Sequence, residues 1–461
     1  MILPVRLGLA AILALTVIAC DSSSSSSGGF SSLSAACEGH DGDGINHDAI
    51  AMSGIFSGTD DPENNFACME LHQYNLFEPN PDQGFVRGDP RRPLVVEDEY
   101  QGLPYVLNTA LFSDYTAKHR IVFLPKDADG NFIPATYRDA DSSPDGEPGT
   151  GDLGKANDNF IFPVGTVIAK TFTYPNDNAM GGPTERVIET RLLIKHNNDG
   201  ERWEGLAYVW EQDEDTGEWI ARRDEFPDGS FIEAREWHYP DPNDPDLTIE
   251  GSVAEGEDPY LIPNRQSCGT CHRNADQDAG RSPIGLKARH LNRPFSSEYG
   301  EFANWHPNMK DVNQLDFWFA QGWLEDLPAG FAVDASQIAS VERIKPYNIP
   351  DSGDFADLDA RARGYLEVNC AHCHNQVRGS VEDLYLEFQR DLCNANFAIR
   401  QNQLTPGDIA DSDLHGRINA KGNDSPEAGD PMPRIARQLI HEEGVAVIAA
   451  WIDAMPTDIC D

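Results

Sequence analysis

The chain has 461 residues, with 35 Lys and Arg against 77 Asp and Glu and a formal net charge of -42. That imbalance excludes nucleic acid as a partner, and charge-driven docking on an anionic membrane, because both need surplus Lys and Arg. Hydrophobic residues at 39% suffice for a core, whereas 39 Gly and 31 Pro argue for a multi-domain protein rich in loops and strands.

Residues 1–20 read as an export signal: Arg6 precedes an apolar run from Leu7 to Ala19 that is too short to span a bilayer. The run ends Leu15-Thr16-Val17-Ile18-Ala19-Cys20, which resembles a bacterial lipobox with Cys20 as the lipid-bearing residue. Plain signal cleavage beside a chance cysteine is the alternative. Ser22–Ser27 with Gly28 and Gly29 then makes a flexible tether. The expectation is a lipid anchor in the bacterial cell envelope, periplasm-facing or on the surface, with the choice of membrane open.

Residues 21–90 hold this tether and two cysteines, Cys37 and Cys68. With Cys393 and Cys460 they are the four cysteines outside the anchor and the two motifs discussed below. Thiols of an exported protein tend to pair. Of three connectivities, proximity favours Cys37–Cys68 and Cys393–Cys460. Asp41-Gly42-Asp43-Gly44 with Asn46 and Asp48 hints at calcium, although the EF-hand spacing fails.

Residues 91–262 have a strand pattern. Gly165–Tyr174, Val187–His196 and Trp203–Trp210 are rich in β-branched and aromatic residues, and Asp127–Gly130 and Asn198–Gly200 read as hairpin turns. The expected fold is a β-sandwich or barrel. No Gly-x-Ser-x-Gly, His-x-x-x-His or phosphate loop is present there.

Two C-x-x-C-H motifs follow: Cys268, Cys271 and His272, then Cys370, Cys373 and His374. This spacing attaches c-type haem, because two thiols three residues apart reach the two vinyl groups and the adjacent His reaches the iron. A zinc ribbon needs its pairs about 15–20 residues apart, whereas these lie about 100 apart. A thioredoxin-like site needs one motif in a βαβ unit. Two c-type haems are therefore expected, with His272 and His374 as iron ligands and His372 facing solvent.

The first haem region, 263–335, has Pro259 and Pro263 before its motif, so no long helix leads into it. A helix is expected across Val312–Trp323. Met309 is favoured as the distal ligand of the first iron. His290, His306, a histidine from upstream (His119 or His238) and an open iron are the alternatives. In residues 345–461, Asp357 is expected to cap a helix reaching Cys370, and His441–Met455 reads as a closing helix. Gly364 and Tyr365 are expected to meet Trp451 where the two cross. Downstream of His374 stand Met432 and Met455. Met455 belongs to the closing helix, which leaves Met432, in Asp430-Pro431-Met432-Pro433, as distal ligand, with His415 as the other candidate. A helix before the motif, loops, a methionine and a last helix resemble a small class I cytochrome c.

The segments 108–120 (NTALFSDYTAKHR), 165–172 (GTVIAKTF), 189–194 (ETRLLI), 208–210, 262–272, 284–293 and 313–318 (NQLDFW) occur in that order, followed by 361–375 (RARGYLEVNCAHCHN), the Met432 loop and 441–455. Together they resemble a family of bacterial di-haem c-type cytochromes. The resemblance covers most of the chain from about residue 90 onward. It implies a β-rich N-terminal half followed by α-helical haem domains. The first function expected is electron transfer between redox partner proteins, basic ones by charge. A di-haem peroxidase or oxidase with an open first haem is the enzymatic alternative. A haem-bearing ligand-binding or sensor module is the third.

Overall fold

The computed structural model describes residues 32–40, 42–53, 66–137, 160–175, 185–196, 202–226, 229–240, 248–272, 283–295, 312–327, 354–375, 383–421, 431–434 and 437–461. Its centre is a six-stranded antiparallel sheet. The strands are β1 (Leu103–Pro104), β2 (Ala117–Phe123), β3 (Val167–Pro175), β4 (Glu185–His196), β5 (Arg202–Gln212) and β6 (Trp219–Arg223), neighbours in chain order. Every residue of β2 is buried, which requires cover on both faces of the sheet.

Alternation along the strands supplies two cores. Ile121, Phe123, Ala169, Leu192, Ile194 and Tyr208 face an N-terminal layer that includes Cys37, Ile50, Leu71 and Tyr74. That layer contains helices α1 (Leu33–Glu38) and α2 (His47–Met52) and the Cys37–Cys68 disulfide, S–S 2.00 Å. On the other face Val122, Ile168 and Leu193 pack with Leu286, Leu291, Leu315 and Trp318 from the region after the first C-x-x-C-H motif.

This differs from the expected sandwich or barrel. The sheet is open, with β1 and β6 as its outer strands. Loop and helix segments from before and after it in the chain supply most of the cover. A hairpin of Arg235–Pro240 and Thr248–Val253 adds a small core at one end, around Phe172, Tyr174 and Trp237. Residues 66–90, expected in the segment of tether and disulfide, contribute Leu71, Tyr74 and Phe77 to the core of the sheet itself. The Asp127 turn forms as expected, its carboxylate accepting from the Asp129 and Asn131 N–H groups at 2.9 Å each. The Asn198 turn lies outside the described residues.

The helices that follow are α3 (Arg265–His272), α4 (Ala288–Leu291), α5 (Gln314–Ala320), α6 (Phe355–Leu366), α7 (Asp413–Ile418) and α8 (Glu442–Ala454). α5 is shorter than expected because Gly322, at φ 71°, turns the chain out of the helix. The cap of α6 is Asp354 rather than Asp357: the Asp354 side chain accepts from the Ala356 N–H, while Asp357 pairs with Arg361 at 2.5 Å. α6 crosses α8 with Gly444 as a small residue at the crossing; Gly364 is buried on α6, and Tyr365 shares a core with Trp451. A Cβ on Gly444 would sit 2.6 Å from the Tyr365 ring. Trp451 also donates to Asp359, at 3.0 Å. Among the described residues, no helix is long and apolar enough to cross a membrane. Cys20 and the export segment lie outside them.

Candidate functional site

The first motif lies on α3. Asn264 begins this helix by accepting the Ser267 N–H on its side chain (2.8 Å) and the Cys268 N–H on its carbonyl (3.3 Å). Cys268 and Cys271, three apart, therefore share one helix face, and His272 closes the helix. The second motif is built differently. α6 runs into a π-helical turn, Glu367–Ala371, a widening that recurs at functional positions in other proteins. The Cys373 and His374 N–H groups then both donate to the Cys370 carbonyl, at 3.0 and 2.9 Å.

The fold brings the two motifs together. Ligand atoms of Cys271, His372 and Cys373 all lie within 4.8 Å of one another. His372 is half-buried at this junction, its Nδ1 3.1 Å from the Val368 carbonyl, rather than facing solvent as expected. Such a set of soft donors can hold a metal ion. A redox C-x-x-C needs a depressed thiol. Here burial and the neighbouring Cys373 push the Cys370 thiol up to about 12.

The described cysteines fall into two groups. Cys37–Cys68 and Cys393–Cys460 are disulfides, whereas Cys268, Cys271, Cys370 and Cys373 remain thiols. Two thiols and a following histidine at each motif are the donor set that covalent haem requires, so the residues present fit that group.

The distal candidates are scattered. Met432 is half-buried in its loop, its N–H donating to the Arg417 carbonyl at 3.0 Å. His415 sits on α7. Met309 and His306 lie outside the described residues. His119 is directed elsewhere, with its Nε2 2.6 Å from Glu185, in a row with Thr171 and Thr190 whose side chains bond each other within the sheet. His238 is exposed on the hairpin beside Glu250, at 3.2 Å. Asn46 caps α2 with its oxygen, at 3.0 Å from the Ala49 N–H, and the Gly44 carbonyl accepts from His40 and Asn75 at 2.7 Å each. These oxygens of the supposed calcium loop are committed to protein donors.

His290 has a different setting. It is fully buried on α4, with its Nε2 3.4 Å from Glu367 on the π-turn of the second motif. Burial pulls its pKa below the ordinary value against the raising effect of Glu367. Burial would raise Glu367, but Lys287, Arg289 and His290 hold it well below the usual carboxylate range. Lys287 makes the closest of these contacts, at 2.7 Å. This cluster ties α4, which follows the first motif, to the π-helical turn of the second.

Sequence reading missed Glu367 and also a row of charged side chains inside the sheet: Lys118, Arg120, Lys170, Glu189 and Arg191. The signal was present as Lys and Arg inside segments otherwise patterned as buried strand.

Fold and site thus define a β-sheet protein on which two thiol–histidine motifs, distant in the chain, converge. No family model, curated protein or solved structure matches this chain.

Proposed function

We propose that this protein is a lipid-anchored di-haem c-type cytochrome of the bacterial envelope, carrying electrons between redox partner proteins. The observation that carries the reading is the sorting of the cysteines: four of them form two disulfides, and the two C-x-x-C-H pairs stay as thiols in one region. Bound haem supplies a reversible one-electron iron couple. Cys268 and Cys271, and Cys370 and Cys373, hold the two haems through thioethers, and His272 and His374 ligate the irons. Met432 is the distal ligand at the second haem, its loop fixed by the hydrogen bond to Arg417. Met309 takes that place at the first. The crossing of α6 and α8 over Gly444 supports a cytochrome c-like domain in residues 345–461. Cys20 carries the lipid. The acidic surface favours a basic redox partner.

The test is production with a c-haem maturation system. The protein is expected to carry two haems resistant to acid-acetone extraction, and Cys268→Ala/Cys271→Ala and Cys370→Ala/Cys373→Ala one each. Extractable haem, or zinc in its place, overturns the reading. Cys20→Ser is expected to release the protein from membranes with its haem spectrum intact, and retention of that variant refutes the anchor.

A further inference from the structure

His372 is the one histidine of the two motifs to which the di-haem reading gives no task. The fold nevertheless places it where the motifs meet, with its ligand atom and the sulfurs of Cys271 and Cys373 all within 4.8 Å of one another. Cys271 comes from α3, and His372 caps the π-helical turn that continues α6. All three side chains are half-buried, so the cluster is partly screened from water.

Two thiolates and an imidazole are a donor set that suits a thiophilic divalent cation. A tetrahedral zinc ion, about 2.3 Å from sulfur and about 2.0–2.1 Å from nitrogen, sets its donors about 3.3–3.8 Å apart, so side-chain rotation on the order of 1 Å closes the cluster onto that geometry. The Nδ1 of His372 donates to the Val368 carbonyl at 3.1 Å. That bond fixes the ring tautomer and makes Nε2 the nitrogen with a lone pair, which is the support that a metal-bound histidine commonly has. The Cys373 N–H donates to the Cys370 carbonyl at 3.0 Å, and Asn264 begins α3 under Cys271, so the backbone beneath both sulfurs is held by its own hydrogen bonds.

Four other cysteines of this chain are oxidised in pairs, Cys37 with Cys68 and Cys393 with Cys460. Cys271 and Cys373 are thiols, although their sulfurs lie within 4.8 Å of each other. In an oxidising compartment two thiols so close tend to pair, and a disulfide there would withhold both from thioether formation. A bound cation prevents that outcome, because it holds both sulfurs as metal thiolates.

We propose that, in the chain without haem, Cys271, His372 and Cys373 form a binding site for one thiophilic divalent cation of the zinc type, with water in the fourth position. Binding displaces one proton from each thiol and leaves the imidazole neutral, so two thiolate charges balance the two of the ion. The cation binding does not depend on the di-haem reading. Only the loss of the site on thioether formation rests on it.

The test uses the full-length chain produced without haem maturation, reduced and titrated with zinc. One zinc per chain is expected, and X-ray absorption at the zinc edge is expected to show two sulfur neighbours and one histidine nitrogen. Loss of a partner outside the coordination shell already costs about 10–100-fold in metal affinity, so Cys271→Ser, His372→Ala and Cys373→Ser are each expected to weaken binding by about a hundredfold or more. Alkylation mapping of the wild type needs no variant: zinc is expected to protect Cys271 and Cys373 together. Zinc held within a single motif gives a different result, since binding then survives replacement of the ligand from the other. Binding that survives either Cys271→Ser or His372→Ala, two zinc ions per chain, or protection of only one of the two cysteines overturns the assignment. The haem count of matured protein judges the other reading separately. One zinc in the haem-free chain with no covalent haem after maturation keeps this site and overturns the di-haem reading, and two haems without zinc affinity do the reverse.

Discussion

The Oδ1 of Asn369 accepts a hydrogen bond from the backbone N–H of Phe112, at 2.8 Å. Asn369 immediately precedes Cys370, and Phe112 belongs to the loop that leads into β2, so one carboxamide joins the second motif to the sheet domain. Its Nδ2 donates to the Ala110 carbonyl (3.2 Å) and back to Tyr365 (3.1 Å). The same loop supplies Asp114, whose carboxylate accepts the Gln438 and Leu439 N–H groups at 2.8 and 2.9 Å. Asp114 and Tyr115 both adopt left-handed backbone, at φ 49° and 62°. That conformation is costly for a tyrosine, and contacts on both sides hold it: Tyr115 stacks on Trp237 at 5.0 Å and donates to Glu443 at 3.0 Å.

Asn369→Leu is expected to lose these bonds and leave the Phe112 N–H without its acceptor. A buried unsatisfied group costs about 1–3 kcal/mol. A lower denaturant midpoint at unchanged haem content is the expected result. A midpoint equal to wild type refutes the role assigned to this residue.

The Cys271 and Cys373 sulfurs stand within 4.8 Å of each other, so on the di-haem reading these residues would hold the two haems close together. The electron paramagnetic resonance spectrum of the fully oxidised protein is expected to show spin coupling. Removing the first haem with Cys268→Ala/Cys271→Ala is expected to simplify the spectrum to that of one isolated haem. Two independent signals in the wild type, superimposing on those of the single-haem variants, would exclude the contact.

Met432→Ala is expected to abolish the methionine-to-iron charge-transfer band of the second haem and to speed cyanide and imidazole binding there. The bond from the Met432 N–H to the Arg417 carbonyl is made by the backbone, so the loop is expected to keep its place in the variant. A spectrum and potential identical to wild type would pass the ligand role to His415.

His441 is buried at the start of α8, stacked on Phe112 with centroids 4.1 Å apart. Burial, with Lys118 and Arg437 nearby, lowers its pKa to about 3. The unfolded chain takes up the proton near the ordinary value of about 6.5. The stabilisation is thus fully present above that pH, and is lost as pH falls toward about 3. His441→Gln is expected to flatten the acid limb of stability between these limits. Parallel pH profiles for variant and wild type would contradict this.

On the proposed reading the protein is an electron carrier with both axial positions of each haem filled. Carbon monoxide is therefore expected to leave both reduced haems largely unchanged, and peroxide to oxidise them slowly. Exchange with a small basic redox protein is expected to slow as salt rises, since screening weakens the field of a chain of net charge -42. Full carbon monoxide binding at one haem with rapid peroxide turnover decides for the peroxidase alternative.

What the sequence determined by itself is local. The C-x-x-C-H spacing, the period of Glu442–Ala454 and the β-branched runs of β3, β4 and β5 are properties of neighbouring residues, and they were legible at once. Cap positions were less secure: Asp354 and Asp357 are both acids at a helix start, and only the fold commits Asp357 to Arg361. The tertiary structure alone decided which distant groups meet. It set Cys271 beside His372 and Cys373, His290 beside Glu367, and Arg120, Lys170 and Arg191 in one row. The physical reason is strand register. A slip of one residue turns every side chain to the opposite face, and register is fixed by the joint packing of segments far apart in the chain. The same packing left the sheet open, because described residues between Leu33 and Val96 cover one face and others between Leu286 and Leu324 cover the other.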